Sequence, residues 1–137
     1  MRTLHFGLHV ADLERSLAFY TAVGYEVVGS VPETGIGHLT MLKLPDDDVV
    51  SIELVHDPDR GVARGTGLSH FVITVESMHA TVTALAAQSI RAEAPSSPDG
   101  SDDFRTAVIT DPDGNRIELV QWPAGHPDGM TAADWPD

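Results

Sequence analysis

The chain has no cysteine, which excludes disulfides, a thiolate nucleophile and any metal centre built on Cys sulfur. A metal must therefore rest on His, Asp or Glu. Basic residues are scarce, with 8 Lys and Arg against 21 Asp and Glu and a formal charge of −13. Nucleic acid phosphates and anionic membrane surfaces are both bound through clustered Lys and Arg, so neither is an expected partner. Apolar runs are short: none approaches the ~20 residues needed to span a bilayer, and the residues after Met1 lead into patterned sequence without a secretory apolar core. A cytoplasmic protein is the expectation. What remains is 137 residues, 42% of them hydrophobic, a length that suits one domain with a substantial core.

The most informative feature present is an internal repeat. His5 and Phe6 recur as His70 and Phe71, 65 positions on, and at the same offset Val10 recurs as Val75, Gly35 as Gly100, and Asp46 and Asp48 as Asp111 and Asp113. The run Ile52-Glu53-Leu54-Val55 returns as Ile117-Glu118-Leu119-Val120. A constant offset means two modules of equal length. In the first, residues 4–10 read as a strand, Asp12 as a helix cap, and Leu13, Leu17 and Tyr20 as one face of a helix ending at Gly24. Strands over 25–31, 38–44 and 49–55 follow, separated by turns at 34–37 and 45–48. The second module gives a strand over 69–75, a helix capped by Ser77 with Met78, Val82 and Leu85 on one face, and a weak strand over 91–93. Strands over 104–110 and 115–122 then flank the turn Asp111-Pro112-Asp113-Gly114. The predicted architecture is α+β, two tandem βαβββ modules in one domain spanning 1–137. Module one covers 3–56, a Pro- and Gly-containing linker 57–67, module two 68–122 and an irregular tail 123–137, in which His126, Met130 and Trp135 are candidates to close over the fold or to pack on a second subunit, with Trp135 as the tail's anchor.

Polar residues duplicated with their apolar neighbours point to a site. His5, Gly7 and His9 share one face of the first strand; Glu53 lies opposite Ile52 and Leu54 on the last strand of its module, and Glu118 repeats the arrangement. A carboxylate in such a strand requires a partner, because burying an unpaired charge costs several kcal/mol. Two imidazoles and two carboxylates, His5, His70, Glu53 and Glu118, suit a divalent cation such as Ni, Co, Zn, Mn or Fe.

These residues, with Val10-Ala11-Asp12-Leu13-Glu14-Arg15-Ser16, Phe19-Tyr20, Gly67-Leu68-Ser69-His70 and the stretch from Asp111 to Leu119, resemble the vicinal oxygen chelate (VOC) superfamily. Within it the chain is similar to the short bacterial glyoxalase I (lactoylglutathione lyase) type, over nearly all residues to Trp122. The resemblance implies paired modules forming a cup-shaped mixed sheet with helices outside, a homodimer, and His5, Glu53, His70 and Glu118 as the metal ligands. It also implies a lyase or isomerase acting on a small hydroxy-carbonyl compound, such as a hemithioacetal, through an enediolate. Two positions depart from that pattern: His9 stands where the bacterial enzymes carry an Arg for the glutathione carboxylate, and His56-Asp57 where they carry an Asn. An imidazole lacks the permanent forked cation that suits a carboxylate, so glutathione does not carry over to this chain with the fold.

A carboxylate with a free pKa of about 4.3 is a weak base toward carbon unless a cation stabilises the enediolate. By resemblance Glu118 is the main proton shuttle, Glu53 the ligand opposite, and His9 a substrate contact. Two rivals stand beside this reading. His5, His70 and Glu118 alone satisfy the two-His, one-carboxylate triad of an Fe(II) extradiol-type dioxygenase, for which Glu53 is one ligand too many. The same cup also serves as a metal-free antibiotic-binding protein in the bleomycin-resistance branch.

Overall fold

The computed structural model describes residues 1–62, 67–93 and 95–135. Residues 63–66 of the expected linker, residue 94 of module two and residues 136–137 of the tail lie outside the described residues. The chain divides into two compact units, Met1–Thr66 with Asp111–Gly114, and Gly67–Thr110 with Asn115–Asp137.

In the first unit, β1 (Phe6–His9), α1 (Leu13–Val23), β2 (Glu26–Val31), β3 (His38–Lys43) and β4 (Ile52–His56) build a sheet in the order β1-β4-β3-β2. β1 runs parallel to β4 and the remaining pairs are antiparallel. The helix starts where Asp12 leaves helical geometry and accepts from the Arg15 N–H, and it ends at Gly24, whose φ of 127° no side-chain-bearing residue adopts readily. Its buried stripe is Ser16 and Tyr20, while Leu13 and Leu17 are only half-buried. The rotation from the expected apolar face has a cause in the turn Asp111–Gly114. Tyr20 Oη donates to Asp111 Oδ2 at 2.6 Å, Ser16 Oγ to Asp113 Oδ2 at 3.2 Å, and the Ala11 N–H to Asp113 Oδ1 at 3.1 Å. Asp111 is 4% exposed. The turn residues expected to do no more than reverse the chain are thus the polar core of the first unit.

The second unit contains β5 (His70–Thr74), α2 (Met78–Ala86), β6 (Arg105–Thr110) and β7 (Arg116–Gln121), with the sheet order β5-β7-β6. α2 is capped by Ser77, buries Met78 and Leu85, and packs against β6 and β7. The weak strand expected over 91–93 does not form. In its place the Glu93 N–H donates to the Val108 carbonyl at 2.8 Å, and Ser96 and Thr106 exchange a pair of backbone bonds at 2.9 Å. Three residues from Glu93 to Ser96 are set against two from Thr106 to Val108, so the pairing is out of regular register and an isolated bridge is what remains.

The duplication extends to strand register. In the first unit Phe6 is opposite Ile52, Gly7 opposite Glu53 and Leu8 opposite Leu54; in the second, Phe71 is opposite Ile117, Val72 opposite Glu118 and Ile73 opposite Leu119. A register slip of one residue would turn every side chain to the other face, so matching registers place both Glu residues at equivalent points of their sheets. Ile52, Leu54, Ile117 and Leu119 are all at most 1% exposed and form the covered face of each sheet.

Candidate metal centre

Each unit carries one His–Glu pair on its less covered sheet face. His5 Nε2 lies 3.1 Å from Glu53 Oε2, and His70 Nε2 lies 3.2 Å from Glu118 Oε2. Among the described residues no group of three or more His, Asp or Glu gathers at one point, so the four residues singled out from sequence stand as two pairs. The pairs suit a cation nonetheless. Two ligands of one first-row ion at about 2.0–2.2 Å are separated by roughly 2.8–3.6 Å across octahedral to tetrahedral angles. Both N···O distances fall in that interval, and the atoms facing each other are an imidazole nitrogen and a carboxylate oxygen, the donors such ions prefer.

The two pairs differ in their surroundings. The Glu53 side chain is 13% exposed and that of Glu118 31%. Glu53 owes its enclosure to Gly7, directly opposite it on β1: a Cβ there would stand 3.2 Å from Glu53 Oε1 and 3.3 Å from Val55 Cγ2. The equivalent position in the second unit is Val72, half-exposed beside Glu118. A glycine inside a strand signals close approach of a neighbour, and that signal was available in the sequence. Gly7→Val is expected to push the Glu53 carboxylate aside and weaken cation binding about tenfold, as losses in ligand support typically do. Titration of metal-stripped protein by calorimetry checks this, with circular dichroism to show that the fold is kept.

Ser69 was not singled out from sequence. Its hydroxyl lies 3.0 Å from His70 Nδ1, which fixes the ring and leaves Nε2 as the nitrogen turned toward Glu118; a second partner of this kind accompanies most metal-bound His. His9 is exposed, and the burial of Leu8 and Val10 on the opposite side of the strand puts it on the face shared by His5 and Gly7. His38 and His56 are opposite each other on β3 and β4, on the side of β4 away from Glu53.

Comparison with known proteins bears on the family of the chain. A probable lactoylglutathione lyase of Vibrio cholerae is 34% identical over 132 residues, covering 91% of this chain and 94% of that protein. A probable chloroplastic lactoylglutathione lyase of Arabidopsis thaliana is 29% identical over 88% of this chain, which spans only 35% of that relative's length. Among solved structures, the trypanothione-dependent glyoxalase I of Leishmania major superposes with a TM-score of 0.71 at 26% identity, over 88% of this chain and 86% of that one. No described helix is long and apolar enough to cross a membrane. The sequence profile of the Glyoxalase/Bleomycin resistance protein/Dioxygenase superfamily matches residues 2–119, and the chain belongs to that superfamily.

Proposed function

We propose that the chain is a metal-dependent lyase or isomerase of the glyoxalase I kind, acting as a homodimer on a small vicinal hydroxy-carbonyl compound of the hemithioacetal type. The observation that carries the reading is the recurrence of one His–Glu pair at the same strand register in both units, at 3.1 and 3.2 Å. Relatives named lactoylglutathione lyase over nearly their full length support the reaction class. His5, Glu53, His70 and Glu118 would hold the cation. When bound, a divalent cation supplies Lewis-acid stabilisation of negative charge developing on two neighbouring oxygens. The chain's own residues do the rest. Glu118, the more exposed of the two carboxylates, accepts the proton from the substrate carbon and returns it to the adjacent carbon. Glu53, enclosed against Gly7 and Val55, remains a holding ligand. His9 orients the polar end of the substrate by a single-point contact, which a forked carboxylate clamp would not resemble; the thiol partner accordingly need not be glutathione.

Elemental mass spectrometry on untagged protein, wild type beside Glu53→Gln, tests the proposal. Near-stoichiometric Ni, Co, Zn or Mn that falls in Glu53→Gln is the expected result. Iron that persists without Glu53, with oxygen uptake on a catechol, replaces the lyase reading with the dioxygenase one. Metal-free protein in both cases, after growth with each ion available, overturns both and leaves a binding cup.

A further inference from the structure

His126 makes the ring contacts that tie the tail after β7 back to the fold. His126 stacks on Trp122 with ring centroids 4.7 Å apart and planes 8° from parallel, and Trp122 in turn stacks on Phe104 at 5.6 Å and 22°. Both imidazole nitrogens are engaged: Nδ1 lies 2.6 Å from the Pro127 carbonyl oxygen and Nε2 lies 2.6 Å from Asp134 Oδ1. Asp134 also closes a capping box, its Oδ2 accepting from the Thr131 N–H at 2.7 Å, and so anchors the short helix Ala132–Asp134. Trp135, expected to anchor the tail, is 64% exposed and Met130 67%, so neither is buried within this chain.

A carbonyl oxygen and a carboxylate oxygen are acceptors only. A neutral imidazole has one N–H, and its other nitrogen would meet an acceptor with a lone pair at 2.6 Å; the imidazolium alone satisfies both contacts. Charge-assisted bonds of this length are the strong ones. We propose that residues 123–135 form a proton-held strap, closed by the His126 imidazolium and released when His126 loses its proton. Alternation along β7 puts Trp122 on the side of Glu118, four residues further along the strand, so the strap lies at the aromatic end of that face, the end away from His70. The strap itself does not depend on the reading of the His70–Glu118 pair as a metal site.

The charged groups on the contacting segments favour the cation. Asp134 faces it directly, Asp128 follows Pro127, and Asp102 and Asp103 precede Phe104; Arg105 is on β6, whose alternation turns it to the other side of the sheet from Phe104. The Pro127 carbonyl and then Asp134 hold the imidazole above its ordinary value of 6.5, while the Thr131 N–H and then His126 hold Asp134 below 3.8. A raised imidazole stabilises the closed strap fully below 6.5 and loses that contribution as pH rises through the raised value. A depressed carboxylate contributes above its ordinary value and loses the contribution as pH falls through the lowered one. The strap is therefore closed from the acid side of the carboxylate range to the alkaline side of 6.5.

NMR of the full chain tests this, with the His126 ring resonance identified by its loss in His126→Asn. In wild type the ring should titrate above 6.5, and residues 128–135 should lose backbone order, by ¹⁵N relaxation, over the same pH interval. Asp134→Asn should bring the midpoint down by about one unit or more, the size of shift an adjacent opposite charge produces. In a Trp135→Phe background, Trp122 emission should rise as the stacked imidazolium is lost. His126→Asn should leave the segment mobile at every pH while the sheet resonances are unchanged. A midpoint at or below 6.5, or a segment equally ordered on both sides of the titration or in His126→Asn, overturns the proposal.

Discussion

Glu118→Gln is expected to lower kcat by about two to four orders of magnitude, the range that a positioned general base contributes. The substitution keeps the size of the side chain and one oxygen for the proposed cation, and removes the basic oxygen proposed to take the proton from carbon. Glu53→Gln is the informative comparison because it also retains an oxygen but lies in the tighter place. With Gly7 directly opposite and Val55 beside it, Glu53 has little room to swing toward a substrate carbon, whereas the Glu118 side chain is 31% exposed. The defect of Glu53→Gln should therefore be one of metal occupancy, relieved by raising the metal concentration; that of Glu118→Gln should persist at saturating metal. Steady-state rates on a hemithioacetal substrate, measured across a metal titration for both variants, separate the two. If Glu53→Gln keeps the larger deficit at saturation, the roles of the two carboxylates are exchanged.

The parts of this molecule that were legible in its sequence are those fixed by local chemistry or by the repeat. Asp12, Ser77 and Gly24 announce helix ends because a cap acts on backbone groups within one turn. The offset between His5 and His70 carries over into matched registers of β1 with β4 and β5 with β7, since equal spacing between paired strands reproduces equal pairing. Contacts between distant residues were not legible. Nothing near Tyr20 in sequence signals Asp111, which is 91 positions away, and the apolar pattern of α1, which placed Tyr20 on the buried face with Leu13 and Leu17, gave no sign that Ser16 would be buried there instead of the two leucines. The strand expected over 91–93 is lost to a register mismatch with β6, three residues against two, which depends on the partner strand and not on local sequence. In the tail, Trp135 is exposed while His126 is the ring that stacks on Trp122 and meets Asp134, contacts that no local pattern in the sequence marks.

The second large effect concerns stability. Tyr20→Ala is expected to cost about 3–5 kcal/mol, as deletion of a fully buried aromatic ring does, a major part of the roughly 5–15 kcal/mol that holds a domain together. Tyr20 is 0% exposed and meets Phe19 and Tyr25 edge-on at centroid distances of 5.1 and 5.6 Å. Its hydroxyl gives Asp111 a donor at 2.6 Å, and burial together with the Asp111 charge raises the phenol well above its ordinary range, so that it stays a donor at any working pH. Tyr20→Phe isolates that bond: the ring stays, and a loss of about 1–3 kcal/mol is expected because the buried carboxylate gives up one of its donors. Urea unfolding with an unchanged m-value measures both. A double-mutant cycle with Asp111→Asn then asks whether the two groups act as a pair, in which case the double variant should be less damaged than the sum of the single ones by about 0.5–3 kcal/mol. Strict additivity would mean that Tyr20 stabilises the first unit through ring packing alone, and that Asp111 relies on its other partners, the Asp113 N–H at 2.9 Å among them, to remain buried as a charge.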